Sequence, residues 1–496
     1  MRWLSLVVVV VVGACSKSEP AQPEPKPVEN TRAEKKPVPK TPLPPLAADP
    51  GGATGKPMWS AAFGGLGIDA PKGVAVGADD AVYTVGYYEG EIDFGGSVGK
   101  RAAGGKSDAF VVKYDAAGKL QWAQTFGAAR EDVANGVAVR GDTVVVVGNF
   151  ADELKIGEYD HKAVGSDDAF VAAFDTKGAV QWLWTFGGID SDGANAVAPA
   201  PDGGWVIAGS YSDALDIGGW HLKSKGHTDA LLVKLKASGD VEWIKSFGGR
   251  YDDTLLHVAC DANGNIYVQG HFQDKADFGG APLVAAGGSD NDVVLAKYDT
   301  NGDHVWSQRF GNAFNDVAGG VAVDPAGNVT MVGSFDKSIS FGASDDHPSL
   351  GEADAYIARF TTDGKLVWAR TFGAEKEDVA WGVAADDAGN TVTTGWFQGS
   401  VDFGKGGALA SKGNKDVFVI KLDQKGTPLW VDTWGDHDHD QGRGIALDAK
   451  GNVVVVGIFR FKLDVVDPPI DSKRDESNPV LAKAPPPDAF VVKLQR

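Results

Sequence analysis

The chain has 496 residues and a formal net charge of −20, from 47 Lys and Arg against 67 Asp and Glu. A surface this acidic repels the phosphate backbone of nucleic acids, so no nucleic-acid partner is expected. Two Cys in the whole chain exclude a disulfide-rich scaffold.

The N-terminus has the pattern of an export signal. Arg2 gives a positive start, and the apolar stretch 4–12 is too short to span a bilayer. This stretch ends in Val12-Gly13-Ala14-Cys15, which resembles the lipobox of bacterial lipoproteins. The resemblance implies that residues 1–14 are a signal peptide and that Cys15 is lipidated, for example with palmitate, and anchored in the membrane. The alternative is a plain secretory signal with an incidental Cys.

The residue after the Cys predicts the destination. In the lipoprotein family an Asp at that position favours retention at the inner membrane, so Ser16 indicates an outer-membrane lipoprotein, facing either the periplasm or the outside. Residues 15–57 are rich in Pro, Lys, Glu and Ala without apolar periodicity, which predicts a disordered tether with polyproline-II character. A cell-wall-binding role for its Lys residues is the alternative.

One pattern then recurs seven times through residues 58–496. A Trp marks each copy at intervals of 60 to 63 residues. The seven are Trp59, Trp122, Trp182, Trp243, Trp306, Trp368 and Trp430. A period of this length indicates stacked structural units rather than separate domains.

The second copy reads as four short strands, at 136–139, 143–150, 168–174 and 180–187. Four strands per unit without helical periodicity predict an all-β, seven-bladed β-propeller with four antiparallel strands per blade. The chain starts with a fourth strand and ends with a third strand. We therefore expect the N-terminal strand to complete the last blade and to close the ring.

Short motifs in the copies carry a family resemblance. Examples are Gly320-Val321-Ala322-Val323-Asp324 and the Asp-Ala-Phe-Val-Val-Lys piece from Asp108 to Lys113. They resemble the bacterial seven-bladed β-propeller repeat (SBBP) family, which implies a secreted or surface module without assigned chemistry. The stretch from Asp115 to Trp122 is also similar to the Asp-x-x-Gly-x-x-x-Trp element of quinoprotein propellers. Quinone-dependent members of that group have eight blades and an adjacent-Cys disulfide, which this sequence lacks.

An Asp recurs six residues after the aromatic residue of each fourth strand. The seven are Asp69, Asp132, Asp192, Asp253, Asp316, Asp378 and Asp440. One interpretation is an acidic ring at the channel mouth that binds a cation or faces a substrate. The other is that each carboxylate accepts hydrogen bonds from local backbone N–H groups and stabilises its turn.

The seventh copy departs from the others in Asp436-His437-Asp438-His439-Asp440. His nitrogens and Asp oxygens are ligands for Zn, Mn or Ni, so His437, His439 and Asp440 form the one metal site that the pattern favours. A divalent cation is accordingly the only cofactor considered. The alternative is a solvated acidic loop.

The last copy also has a longer link between its second and third strands, with a Pro- and charge-rich insertion at 466–487. It is either a binding loop or a tolerated surface loop.

Three functions fit these features. The first is a monomeric, non-enzymatic module that binds an envelope protein or a glycan at the outer membrane. The second is an envelope hydrolase or lyase with its site near His437 and His439. The third is a scaffold for outer-membrane assembly, by analogy of fold.

Overall fold

Every regular element that the structure describes is a β-strand. The computed structural model describes residues 55–342, 346–404, 406–466, 468–472 and 485–496. The signal segment, Cys15 and nearly all of the tether lie outside these ranges. Nothing helical within them has the length and hydropathy of a membrane span.

The strands form seven blades of four antiparallel strands each, and in two of them a hairpin of the next blade extends the sheet to six strands. The first, innermost strands are β2 (Asp69–Val76), β8 (Asp132–Arg140), β14 (Gly193–Pro199), β18 (Thr254–Cys260), β24 (Asp316–Val323), β28 (Val379–Ala385) and β34 (Gln441–Leu447). The second strands are β3 (Val82–Tyr88), β9 (Thr143–Phe150), β15 (Trp205–Ile217), β19 (Ile266–Phe272), β25 (Val329–Ser340), β29 (Thr391–Phe397) and β35 (Val453–Phe459).

The third strands are β6 (Asp108–Tyr114), β12 (Asp168–Asp175), β16 (Trp220–Leu235), β22 (Asp292–Tyr298), β26 (Asp346–Phe360), β32 (Asp416–Leu422) and β38 (Asp488–Leu494). The fourth, outer strands are β1 (Pro57–Gly65), β7 (Leu120–Phe126), β13 (Val180–Phe186), β17 (Val241–Gly249), β23 (His304–Phe310), β27 (Leu366–Phe372) and β33 (Pro428–Trp434).

Short hairpins lie between the second and third strands of several blades. Their strands are β4 (Glu91–Asp93), β5 (Lys100–Ala102), β10 (Glu153–Ile156), β11 (Tyr159–Lys162), β20 (Lys275–Asp277), β21 (Leu283–Val284), β30 (Ser400–Val401), β31 (Leu409–Ala410), β36 (Lys462–Leu463) and β37 (Ile470–Asp471). In the third and fifth blades the second and third strands themselves continue into this hairpin, which accounts for their greater length.

The chain ends close the ring, as predicted. Strand β1 pairs antiparallel with β38, from Pro57 opposite Leu494 to Phe63 opposite Ala489. The sheet order β34-β35-β38-β1 makes the last blade from both ends of the chain. The seven-bladed propeller with four antiparallel strands per blade is therefore confirmed.

The core lies between neighbouring blades rather than within one. In one cluster Val85 and Val111 of the first blade pack with Val146 and Phe170 of the second. All four side chains are fully buried, because each sheet is covered on both faces by its neighbours. This explains the nearly continuous apolar runs in the second and third strands.

The repeated Trp residues join one blade to the next. The Trp122 indole N–H donates to the carbonyl of Thr176 in the following blade, at 3.1 Å. Gly178 has a φ of +88°, and a Cβ there would lie 3.1 Å from the Trp122 ring. A turn glycine with positive φ sits on the preceding Trp in every blade; these are Gly55, Gly118, Gly178, Gly239, Gly302, Gly364 and Gly426. Only glycine combines this backbone conformation with so close an approach.

Candidate functional site

The two ends of the propeller differ. We call one end the loop face: it carries the loops from each fourth strand to the next first strand and from each second strand to its third strand. The seven aspartates predicted as an acidic ring begin, or directly precede, the first strands at this face. We call them the first-strand aspartates.

The first-strand aspartates are buried and bonded to backbone. Their residues are at most 3 % exposed. One carboxylate oxygen accepts the N–H of the residue four positions earlier, as in Asp192 with Gly188 at 2.6 Å and Asp378 with Ala374 at 2.8 Å. In Asp192 the other oxygen accepts the N–H of Ser212 at 3.1 Å.

This arrangement differs from a solvent-facing acidic ring. The carboxylates of Asp69, Asp132, Asp192, Asp253, Asp316, Asp378 and Asp440 stabilise the loops on which they lie. One oxygen of each carboxylate accepts a backbone N–H, which is the local role that the sequence left open. The signal for this role was the strict repetition itself, since every blade needs the same loop.

Burial changes the acidity of these groups. It raises the pKa of Asp132, Asp192 and Asp253 to about 7 and that of Asp316 and Asp440 to about 8, against the stabilising effect of the backbone N–H donors. Burial, together with the nearby Asp488, raises the pKa of Asp69 to about 9.

A second set of aspartates begins the third strands, or lies within them in the third and fifth blades, and stands beside the first set. Where the first blade meets the second, Asp108 and Asp132 flank Gly127, where a Cβ would lie 2.8 Å from Asp108 Cγ and 2.7 Å from Asp132 Oδ2. The backbone N–H of Asp132 also donates to the carbonyl of Ser107 at 3.0 Å. At every glycine that follows a fourth-strand aromatic residue, an added Cβ would lie within 3 Å of at least one of the two carboxyl groups, so a side chain is not tolerated there.

The structure places the three residues of the predicted metal site, His437, His439 and Asp440, in different surroundings. His437 packs on Phe461 with ring centroids 4.4 Å apart, and His439 Nε2 lies 3.9 Å from Asp438. Asp440 is buried and accepts the N–H groups of Asp436 and Arg460. Across the described ranges, no three His, Cys, Asp or Glu side chains converge as metal ligands would. The spacing predicted shared ligands, but Asp440 is held inward by the backbone and the two imidazoles lie on the surface.

The insertion of the last blade starts within a short hairpin of the kind that other blades also have. In this hairpin β36 pairs with β37, and Lys462 lies opposite Asp471. Residues 473–484 lie outside the described residues, and the binding-loop prediction for 466–487 stays a prediction.

The first strands line a central channel and share an irregularity that the sequence did not reveal. In every blade one residue of the first strand is skipped by the register with the second strand, which makes a β-bulge. We call the seven skipped residues the bulge ring; they are Lys72, Asn135, Asn195, Leu256, Gly319, Trp381 and Arg443.

Six residues of the bulge ring, all except Gly319, line a cavity of about 310 Å³, to which His257, Ala318, Trp396 and Gln441 also contribute. A second cavity of about 230 Å³ includes Val74, Val137, Val197, Val258, Val321, Val383 and Ile445 among its lining residues. These aliphatic residues stand two positions after each bulge and form an apolar ring on the side away from the loop face. The channel thus has a mixed polar level at the bulges and an apolar level beyond it.

Two cations of the bulge ring are neighbours, on the first and last blades. Burial within the channel wall, and then the charge of Arg443, lowers the pKa of Lys72. Burial also lowers the pKa of Arg443, which is hydrogen-bonded to Tyr87 and donates to Gln441 Oε1 at 3.2 Å. The lining residues of both cavities include no Asp or Glu.

The other members of the ring are held in place by their neighbours. Asn135 Nδ2 donates to Asn149 Oδ1 at 3.0 Å, and Asn195 Nδ2 donates to the Leu255 carbonyl of the next blade at 2.9 Å. Trp381 packs on Trp396 with ring centroids 5.5 Å apart. Burial lowers the pKa of His257 to about 4, so this imidazole is neutral at pH 7.

The chain was compared with known proteins. No family model matches it. It is 20 % identical over 508 residues to the uncharacterized WD repeat-containing protein L264 of Acanthamoeba polyphaga mimivirus, covering 81 % of this chain and 36 % of that protein. It is 25 % identical over 354 residues to the regulatory protein FlaEY of Caulobacter vibrioides, covering 64 % of this chain and again 36 % of the relative.

The chain therefore spans about a third of the length of these two relatives. Among solved structures, the Neurospora crassa Pan2 WD40 domain is 8 % identical with a TM-score of 0.44, covering 89 % of this chain and 97 % of that domain. The strand topology and the closure of the ring show that this chain has a seven-bladed β-propeller fold.

Proposed function

We propose that the protein is a lipid-tethered module of the bacterial cell envelope and that its propeller holds a protein partner on the loop face without catalysing a reaction. The single observation that carries the partner proposal is the exposure of large apolar side chains on the loop face. Seven of them lie there: Leu66, Val164, Ile189, Trp220, Val284, Phe314 and Leu350.

Val164 and Ile189 lie on two loops whose backbones approach each other closely. The two residues are 72 % and 67 % exposed, and the Gly165 backbone lies against the Ile189 carbonyl. A third exposed apolar residue, Leu350, occupies the same position before its third-strand aspartate as Val164 does. Apolar residues concentrated on one face of an acidic, soluble surface are typical of a protein-docking site.

The loops that bear these residues are stiff, which favours binding. The N–H of Asp192 donates to the Asp167 carbonyl at 2.8 Å, and the two loops of the blade are joined there. The buried carboxylate of Asp192 then bonds to the loop backbone on both sides. A preorganised docking surface loses little conformational entropy when a partner binds.

The envelope location rests on the sequence. The lipobox-like Val12-Gly13-Ala14-Cys15 supports lipidation of Cys15, Ser16 supports the outer membrane, and the repeat motifs support membership of the bacterial SBBP propellers. The bacterial relative FlaEY, named as a regulatory protein, is compatible with a binding role.

The partner proposal is tested by crosslinking the tethered protein in intact cells and identifying its partner by mass spectrometry. We expect one envelope protein to be recovered at near-equal abundance, and the variant Val164→Asp/Ile189→Asp to lose it at least tenfold. The matched control is Val305→Asp/Val367→Asp, which charges two residues of similar exposure on outer strands. Equal recovery by both double variants would contradict the loop-face assignment.

The anchor is tested separately. Cys15→Ser should abolish incorporation of labelled palmitate and move the protein from the membrane pellet to the soluble fraction. Continued membrane sedimentation of this variant after a carbonate wash would contradict the lipid anchor, whatever the outcome for the partner.

A further inference from the structure

The central channel has a cationic side, a side lined by amides and an apolar side. Around the bulge ring, Arg443 and Lys72 are adjacent, Asn135 and Asn195 follow, and Leu256 and Trp381 stand on the remaining side with Gly319 between them. The blade order imposes this arrangement, since each blade supplies one bulge residue.

The bulge position stands out within the repeat. The residues after it are nearly the same in all copies, as in Lys72-Gly73-Val74-Ala75 and Arg443-Gly444-Ile445-Ala446. Gly136 is tight against the next first strand, since a Cβ there would lie 3.2 Å from Ala196 Cα. Neighbouring positions are thus constrained by packing between blades, whereas the bulge residue faces the lumen and varies.

The cationic side has no acidic counterpart in the channel. Lys72 and Arg443 repel each other; Lys72 is exposed and Arg443 is half-buried. Two adjacent positive charges in a chain of net charge −20, without a lining carboxylate in either cavity, form a local positive potential. An anion entering the channel would relieve this repulsion.

The amide side and the apolar side of the channel indicate which other chemical groups a bound anion would have. The amide nitrogens of Asn135 and Asn195 are used by the wall, which leaves their carbonyl oxygens as acceptors for hydroxyl donors. The indole of Trp381 offers an apolar surface on which C–H groups of a ring pack.

We propose that the channel binds a small carboxylate-bearing sugar, of uronate type, with its carboxylate at Lys72 and Arg443, its hydroxyls at Asn135 and Asn195, and one ring face on Trp381. The cavity of about 310 Å³ accommodates one such ring. This site is separate from the loop-face residues of the protein partner, so either proposal can fail alone.

Titration calorimetry with D-glucuronate tests the proposal, with D-glucose and inorganic phosphate as comparison ligands. We expect glucuronate to bind the wild-type protein at least tenfold more tightly than either comparison ligand. Equal binding of glucose would overturn the role of the cations, and equal binding of phosphate would overturn the sugar class. No glucuronate binding at 10-fold excess over a millimolar Kd would overturn both.

Two double variants test whether the ligand binds at Lys72 and Arg443. Lys72→Met/Arg443→Met should weaken glucuronate binding at least tenfold. Lys119→Met/Lys177→Met makes the same change of charge at exposed turns away from the loop face and should leave binding unchanged. Matching thermal unfolding curves show that both variants are folded. Unchanged affinity in the channel variant, or equal losses in both, would overturn the assignment.

Discussion

The start and the middle of each first strand follow opposite rules. An Asp begins or directly precedes every first strand, and the residue three positions after it, in the bulge ring, is Lys, Asn, Asn, Leu, Gly, Trp or Arg. The aspartates are buried and bonded to backbone, whereas the bulge residues face the channel. Repetition therefore marks what holds the propeller together, and variation marks the surface that is free to acquire a ligand.

The largest loss of stability is expected when a side chain is added at a repeated position. Gly127→Ala should cost about 3 kcal/mol of unfolding free energy, because its Cβ meets two buried carboxyl groups. Gly193→Ala is the control, since the nearest atom to a Cβ there is Asn195 Oδ1 at 3.8 Å. Denaturant unfolding measures both. A cost of less than about 1 kcal/mol for Gly127→Ala would show that the paired carboxyl groups can move apart.

Removal of a repeated Trp should cost somewhat less. Trp122→Ala loses the stack on Gly178 and the bond to Thr176, and we expect about 2 kcal/mol of destabilisation. Trp220→Ala, at a residue that is 38 % exposed on a hairpin, should cost about 0.5 kcal/mol or less in the same assay. Equal costs would mean that the repeated Trp is not a joint between blades.

The repeated aspartates should also make stability depend on pH. Six of them have folded-state pKa values of about 7 to 9, above the unfolded value, so the folded state binds more protons in this range. Stability should therefore fall as pH rises from 6.5 to 9, with Asp69 alone contributing about 1 kcal/mol per pH unit.

Thermal unfolding at constant ionic strength measures this pH dependence. Asp69→Asn keeps an acceptor for the Gly65 N–H but cannot ionise, and it should flatten the slope. A melting temperature that rises towards pH 9, or an unchanged slope in Asp69→Asn, would contradict the assignment of raised pKa values.

The smallest effect on stability is expected in the bulge ring. Lys72→Met/Arg443→Met removes two like charges that repel each other, so the unfolding free energy should change by less than about 0.5 kcal/mol or increase. Denaturant unfolding of this double variant and of Gly127→Ala compares the two free-energy changes directly. A loss above about 2 kcal/mol would show that the lumen cations are part of the frame.

Much of the frame was predictable because it repeats. The Trp period, the strand pattern of the second copy and the mismatched chain ends together predicted the blades and the closure by β1, which β38 confirms. Short strands with strong turn signals fold nearly as their local pattern dictates, and closure follows from the need to pair the last edge.

The arrangement of the candidate site residues was harder to predict from the sequence. Equal spacing placed Asp69 and its counterparts at one end, but spacing does not tell whether a carboxylate faces water or backbone. His437 and His439 drew attention by their residue type, although packing on Phe461 and the inward turn of Asp440 keep the three apart. Lys72 and Arg443 went unnoticed because a bulge alters which side of a strand a residue faces, and no residue type marks a bulge. The usable signal was variation: the residue before Gly-Val-Ala differs between copies that are otherwise alike.

The pairing of β1 with β38 also has a consequence for how the protein folds. The contact between Ala61 and Val491 joins segments from opposite ends of the sequence, so its loop-closure entropy is large and it forms late. A chain that emerges N-terminus first cannot complete its ring until the last strand has been delivered. The edge of strand β1 that pairs with β38 therefore stays unpaired until synthesis ends. A chaperone that shields this edge would increase the yield of correctly closed propellers.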